Sequence, residues 1–336
     1  MAVSEGRMAF IGTGTSTTNV VDASSAMTAV NRVQYHQFKG NTPLNYHMTI
    51  TCVKGGFKPN GDPAITVITL PNTWTMRNSL VKTSAGWKKQ LRSAGIKLSD
   101  LSTYGRRMRV GFSKAHVDAT TGKLKDVLVP MGCHQGEGID SNMEIFPDYT
   151  VDDSAGTVVS YESANEVTRL AVPSDSEDTD PVEMNVVALG YNATFTANLD
   201  FCVIQNYIQS RGGVTDEPDS AQQGPLSTSW LQRFFSAQAP ATDEIVEEAD
   251  DYMNYRPYTD DVGARSTGGG GTNPLNNLCT YQGLLSSPVV PGVGDDAARQ
   301  GSVHSIDVIA PLGLVQLAGI ADGDEIIIDV HAITEM

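Results

Sequence analysis

Apolar and polar residues alternate along much of this chain with the two-residue period of half-buried strands. NYHMTITCV (45–53) and AITVITL (64–70) are β-branched runs separated by KGGFKPNGDP, whose Gly, Pro and Asn-Gly content reads as a long hairpin loop. The two are expected to form an antiparallel pair. Further strands are predicted over 106–112 (RRMRVGF), 126–131 (DVLVPM), 157–172, 183–199, 201–208, 305–320 and 325–333, giving about ten in all. In the last of these, Ile326, Ile328 and Val330 fall on one side and Ile327, Asp329 and His331 on the other, the pattern of a strand with one buried face.

One segment carries a helical period instead. In NTWTMRNSLVKTSAGWKKQLRSAGI (72–96), Met76, Leu80, Trp87 and Leu91 recur at roughly helical spacing, Asn72 is placed to act as N-cap, and Gly95 is placed to end the helix in a left-handed conformation. Gly86 weakens the middle of such a helix by about 1 kcal/mol relative to Ala, so packing of Trp74, Trp87 and their neighbours must hold it against a larger body.

Between the periodic segments lie turn-rich stretches: PSDSEDTDP (173–181), RGGVTDEPDSAQQGP (211–225) and VGARSTGGGGTNPLNN (262–277). Widely spaced strands, few helices and no strand–helix–strand rhythm argue against a parallel α/β sheet and for an all-β sandwich or barrel with long loops. A chain of 336 residues with 40% hydrophobic content is long enough to bury a full core as one large β domain or two ordinary domains. No short-period internal repeat is present to indicate a solenoid.

Charge changes the picture more than composition does. The formal net charge is −16, yet residues 72–96 hold five Lys or Arg and no Asp or Glu. Residues 1–53, 54–126 and 127–336 carry +1, +10 and −27 respectively. Such block segregation implies a folded body with faces of opposite potential, which acts on partners and on self-association. Arg77, Lys82, Lys88, Lys89 and Arg92 of the helix, with Arg106, Arg107 and Arg109 close behind, are the expected basic surface.

Several chemistries fail on their motifs. FIGTGTST (10–17) lacks the Gly-Lys-Ser/Thr of a nucleotide loop and reads as a β-turn. Neither a Gly-x-Ser-x-Gly elbow nor a His-Glu-x-x-His motif occurs, and His36, His47, His116, His134, His304 and His331 are scattered singly. Cys133 and His134 are adjacent, so on an extended chain they point to opposite faces and make a poor nucleophile–base pair. The four cysteines, Cys52, Cys133, Cys202 and Cys279, lie far apart and are expected to be buried free thiols. No catalytic residues and no cofactor are expected. Acidic clusters at Asp175, Glu177, Asp178 and Asp180, and across Asp243 to Asp251, read as solvated charge, with intersubunit calcium as the sharper alternative. No run of about 18 apolar residues appears and MAVSEGRMAF lacks a signal-peptide core. A soluble product made inside a cell is therefore expected.

YHMTITCV (46–53), AITVITLPNTWTMRNSLVKTSAGWKKQLRSAGI (64–96), YGRRMRVGF (104–112) and VIAPLGLVQLAGIADGDEIIIDVHAITEM (308–336) together resemble the capsid proteins of small tailless environmental viruses, often with single-stranded DNA. The resemblance implies a viral jelly roll, here one domain over 1–336 with a basic helical insertion at about 72–96 and loop insertions at about 211–225 and 258–302. A double jelly roll is the alternative. It further implies a structural protein that self-assembles into an icosahedral shell around the genome, is synthesised in the host cytoplasm and resides in the virion, with minor capsid proteins as further partners. Many such coats open with an Arg-rich arm, whereas residues 1–40 here hold only Arg7, Arg32 and Lys39 as basic groups. The 77–125 basic zone is then expected to face the genome, an internal membrane or the acidic loops of the next subunit. Two rival functions are a secreted or virion-borne β-sandwich adhesin or carbohydrate-binding protein, and a β-sandwich hydrolase.

Overall fold

The alternating segments form antiparallel sheets in the computed structural model, which describes residues 6–12, 18–31, 33–53, 65–118, 122–131, 166–172, 182–189, 200–204, 206–207, 280–285, 303–320 and 324–336. The strands are β1 (Arg7–Ile11), β2 (Thr18–Asp22), β3 (Phe38–Lys39), β4 (Thr42–Val53), β5 (Ile65–Thr69), β6 (Gly111–Ser113), β7 (Arg169–Val172), β8 (Val182–Leu189), β9 (Asp200–Cys202), β10 (Thr280–Leu285), β11 (Val303–Pro311), β12 (Leu314–Ala318) and β13 (Glu325–Glu335). The helices are α1 (Ala23–Asn31) and α2 (Trp74–Ser93).

Two sheets make an all-β sandwich, one ordered β1-β13-β4-β11 and the other β10-β5-β12-β2. In chain order these eight strands pair ends inward: β1 with β13, β2 with β12, β4 with β11 and β5 with β10, all antiparallel. The β13–β4 and β12–β5 ladders then join the pairs into sheets. The expected hairpin of 45–53 with 64–70 is therefore not formed, because β4 lies in one sheet and β5 in the other. Alternation reports that a strand has a buried face; it does not report whether its sequence neighbour lies beside it or across the core.

Between the sheets sits one core, drawn from Met8 and Phe10 of β1, Tyr46, Met48 and Ile50 of β4, Ile65 and Val67 of β5, Val315 and Leu317 of β12, and Ile326, Ile328 and Val330 of β13. Each fully buried Ile, Leu or Val contributes about 1.5–3 kcal/mol relative to exposure. The predicted sidedness of β13 holds: Ile326, Ile328 and Val330 are buried while Ile327 and Asp329 are half-buried and His331 is exposed. The predicted strand 305–320 is instead two strands in different sheets. Leu312 (φ +61°) and Gly313 (φ +72°) turn the chain between β11 and β12, and Leu312 N–H donates to the Leu44 carbonyl at 2.7 Å. Consecutive left-handed residues make a tight corner that an uninterrupted strand pattern conceals.

A second core covers the outer face of the β10-β5-β12-β2 sheet. Val20 and Leu314 of that sheet, with half-buried Ile68, pack against Met76, Leu80 and Trp87 of α2, Met108, Val110 and Phe112, and Leu170, Met184, Val186, Ala188 and Cys202. These partners lie in the chain between β5 and β10, where a small mixed sheet forms: β8 pairs antiparallel with β7 and parallel with β6 and β9. The expected strand at 106–112 shrinks to β6, and 201–208 to β9 followed by helical residues 203–204 and 206–207. Residues 126–131 form isolated bridges, Phe10 with Pro130 and Val20 with Val127, rather than a strand. The loop expected over about 258–302 contains β10, while 157–165, 173–181, 190–199 and 211–225 lie outside the described residues.

Helix α1 escaped the sequence pattern, since ASSAMTAVN is short and its small residues blur the period. Its start is set by Asp22, whose Oδ1 accepts from the backbone N–H of Ser24 (3.0 Å) and Ser25 (3.2 Å).

Candidate functional site

Helix α2 carries most of the predicted basic residues, and its termini show why it forms where it does. The N-cap is Thr73 rather than Asn72: Thr73 is extended, and its Oγ1 accepts from Met76 N–H at 3.3 Å. Asn72 Oδ1 is engaged by Asn45 Nδ2 at 3.4 Å, so tertiary contact diverts it from capping. At the other end Gly95 has φ +78°, with Gly95 N–H donating to Arg92 O (3.0 Å) and Ile96 N–H to Leu91 O (2.9 Å), the paired bonds of a glycine C-terminal stop. Met76, Leu80 and Trp87 are buried and Leu91 packs partly against the same core. Trp74 does not share this role; it is 38% exposed.

The predicted basic residues divide by environment. Arg77, Lys89, Arg92 and Arg106 are exposed, Lys82, Lys88 and Arg107 are half-buried, and Arg109 is buried. Lys82 Nζ sits 5.8 Å from the Tyr207 ring centroid, and burial holds its pKa below the ordinary lysine value. Arg106 closes the turn before it, donating from Nε to Leu101 O (2.8 Å) and from Nη2 to Ser99 O (2.9 Å).

Arg109 departs from the expected surface altogether. Its Nη2 lies 2.9 Å from Asp22 Oδ2, with side-chain exposures of 10% and 0% for the two partners, and it also contacts Ser25 Oγ. The Tyr104 ring covers the guanidinium with its centroid 5.0 Å away. A guanidinium is forced inward here because Asp22, buried as the α1 cap, needs a cationic partner. That pairing is invisible to sequence reading, since 87 positions separate the residues.

Hydrogen bonds tie α2 and the segment after Arg107 to the stretch 37–41. Gln37 accepts from Val110 N–H (2.7 Å) and donates to Val110 O (3.1 Å), which fastens the 36–38 strand entry to the segment after Arg107. Lys88 Nζ donates to Gly40 O (2.8 Å) and to Asn41 Oδ1 (2.5 Å), and Ser84 Oγ to Asn41 Oδ1 (3.3 Å), which seats α2 on the β3–β4 turn. Lys88 is held below the usual lysine range by burial first, and then by Arg107 and Arg92. Burial, followed by Arg107 and Arg109, likewise lowers His36 from the ordinary imidazole value. Nearby, Lys39 pairs with Glu335 at 2.7 Å, a hydrogen bond that holds the exposed carboxyl below its ordinary value. Among the described residues the ion pairs are Arg7–Asp329, Lys39–Glu335, Arg109–Asp22 and Arg169–Glu183, so Lys88, Arg92 and Arg107 are joined to no described carboxylate.

A polar row that the sequence did not single out crosses the outer face of the other sheet. Thr49 lies opposite Asp307 on one side and Asp329 on the other. Its hydroxyl donates to Asp307 Oδ1 (2.5 Å) and meets His331 Nε2 (2.6 Å), while Arg7 approaches Asp329 at 3.7 Å. Strand register alone makes this row, so no local motif announces it. His116 is a core histidine: Nδ1 meets Ser113 Oγ at 2.8 Å and the ring packs edge-on against Phe112. Cys52 and Cys202 are buried free thiols as expected, while Cys133 and Cys279 lie outside the described residues. Among the described residues no group of three or more His, Cys, Asp or Glu is arranged to hold a metal ion, and both acidic clusters considered for calcium fall outside them. No helix among the described residues is long and apolar enough to cross a membrane.

Neither a protein-family model, nor a curated protein, nor a solved structure matches the chain.

Proposed function

We propose that this chain is a viral coat protein whose sandwich is a jelly roll and which self-assembles into an icosahedral shell around a genome, residing in the virion. The observation that carries the reading is the strand order. Leaving out the short β3, the first four strands pair with the last four in reverse, as expected of a long antiparallel ribbon rolled into two Greek keys. Eight strands in that order are the arrangement of viral capsid, lectin and cupin domains. Fold alone does not choose among these, and the electrostatics favours the first. A basic pole of α2 with Arg106 and Arg107, against a strongly acidic remainder of the chain, gives each subunit an orientation in a head-to-tail lattice. The insertion between β5 and β10 thickens one sheet, while the opposite sheet keeps a polar, partly exposed outer face. Two unlike surfaces on one sandwich suit a shell with distinct inner and outer sides.

Sedimentation and negative-stain imaging of the purified chain test the reading. Particles or stable oligomers are expected, and charge reversal at Arg77, Lys88, Lys89 and Arg92 is expected to alter their yield or stability. A small monomer under all salt and pH conditions, indifferent to that reversal, refutes it.

A further inference from the structure

The strongest unassigned feature is the cation cluster at the junction of α2, the β3–β4 turn and the loop leading to β6. Lys88 and Arg92 are one helical turn apart and share a face of α2. Arg107 is brought to them because the Gln37–Val110 bonds and the Lys88 bonds to Gly40 and Asn41 fasten all three segments to the same short stretch, 37–41. Like charges held together without a described carboxylate repel one another, and the cluster remains assembled because the Gln37–Val110 bonds and the charge-assisted bonds from Lys88 Nζ fix the backbone beneath it. The pKa values of Lys88 and half-buried His36 are lowered by burial first and then by neighbouring arginines, so the arginine charges reach both groups. Such a site is preorganised for an anion.

An aromatic ring lies on the same segment as Arg107. Tyr104 is 37% exposed although its ring also covers the Arg109 guanidinium, and Arg107 N–H donates to the Tyr104 carbonyl at 3.2 Å. Arg109 is in turn anchored by Asp22, so the platform is braced from below. Carboxylates of a protein partner would use the cations and leave the ring idle. Phosphates spaced along a strand with exposed bases use both, since single-stranded nucleic acid is bound by cations that follow the backbone and aromatic rings that stack its bases.

We infer that Lys88, Arg92 and Arg107 form a phosphate-binding cluster and Tyr104 a base-stacking platform, which together bind single-stranded nucleic acid without sequence preference. The inference rests on the reading of this face as the basic pole of the subunit, and it selects nucleic acid over the acidic surface of another copy.

The test is fluorescence anisotropy of a labelled oligothymidylate of about twelve nucleotides against the full chain, repeated across salt concentrations. Three phosphates neutralised give a slope of log affinity against log salt of about −2, and Arg92→Ala or Arg107→Ala each lowers its magnitude by about 0.7. Tyr104→Leu weakens binding by about fivefold or more with the slope unchanged, while Tyr104→Phe binds as the parent does. Circular dichroism and urea midpoints establish that each variant is folded. Arg92 is exposed, so its variant stands as the informative one if removing the Tyr104 ring unfolds the insertion. Absence of oligonucleotide binding at low salt, a slope unmoved by Arg92→Ala and Arg107→Ala, or displacement of the oligonucleotide by polyglutamate at equal charge concentration overturns the inference. Sedimentation of the same samples separates the two readings: particles without oligonucleotide binding sink the phosphate cluster alone, and oligonucleotide binding by a permanent monomer sinks the shell alone.

Discussion

Removing the charge of Asp22 while keeping its shape isolates the contact that joins the sandwich to its insertion. Asp22→Asn preserves a good helix cap, because Asn and Asp are nearly equivalent at that position, and the Oδ1 that accepts from Ser24 and Ser25 N–H is retained. What is lost is the counter-charge to Arg109, 2.9 Å away, whose side chain is 10% exposed, together with the Oδ2 acceptor of Ser25 Oγ and Gln37 Nε2. Breaking a buried pair by neutralising one partner costs about 3–5 kcal/mol, and stacking on Tyr104 together with residual exposure places this case near 3 kcal/mol. Asp22→Ala adds loss of the cap, about 1 kcal/mol more. Arg109→Met is milder than Asp22→Ala, because the stranded carboxylate still accepts from two backbone N–H groups, from Ser24 Oγ (2.6 Å) and Ser25 Oγ (2.8 Å), and from Gln37 Nε2 (3.4 Å). The expected order of destabilisation is therefore Asp22→Ala, then Asp22→Asn, then Arg109→Met, with the Asp22→Asn/Arg109→Met double variant less damaged than the sum of the singles. Urea denaturation at concentrations where the chain sediments as subunits supplies the four free energies. Additive effects, or Asp22→Asn costing under 1 kcal/mol, would show that the pair does not hold the two parts together.

Two other perturbations follow from buried positions. Burial lowers the His116 pKa to about 4 against an ordinary 6.5, so the folded chain favours the neutral ring and the unfolded chain takes the proton first. Stability is then full above about pH 6.5, falls by up to about 3 kcal/mol as pH drops towards 4, and levels below it; His116→Gln should flatten that part of the stability–pH curve, and an unchanged slope contradicts the assignment. On α2, Trp87→Ala should cost about 3–5 kcal/mol, whereas exposed Trp74→Ala should cost under about 1 kcal/mol. Equal losses in thermal melts would mean that the helix docks by a different face.

The sidedness of β13 was fully readable, because Ile326, Ile328 and Val330 alternate with partly covered residues and a strand has just two faces. The docking stripe of α2 and its stop at Gly95 were equally local. The cap was misassigned by one residue because Asn72 had a competing partner, Asn45, remote in sequence. Arg109 was misplaced for a related reason: a guanidinium in a basic stretch reads as surface unless the distant carboxylate that draws it inward is known. Neither Tyr104 nor the 37–41 segment stood out, since each matters through neighbours supplied by other parts of the chain.

The sequence by itself determined what depends on period and composition: strands with one apolar face, a long basic amphipathic helix, Cys52 and Cys202 as buried free thiols, and opposite charge in separate blocks. Tertiary structure decided which strand lies beside which, sending β4 and β5 to opposite sheets and turning one apparent strand into β11 and β12 around Leu312 and Gly313. It also decided which cations are buried and which are gathered into a cluster. The physical reason is common to both. Burial of an alternating face is satisfied by many pairings, and a charge is satisfied by any suitable partner, so the choice rests on contacts between residues tens to hundreds of positions apart.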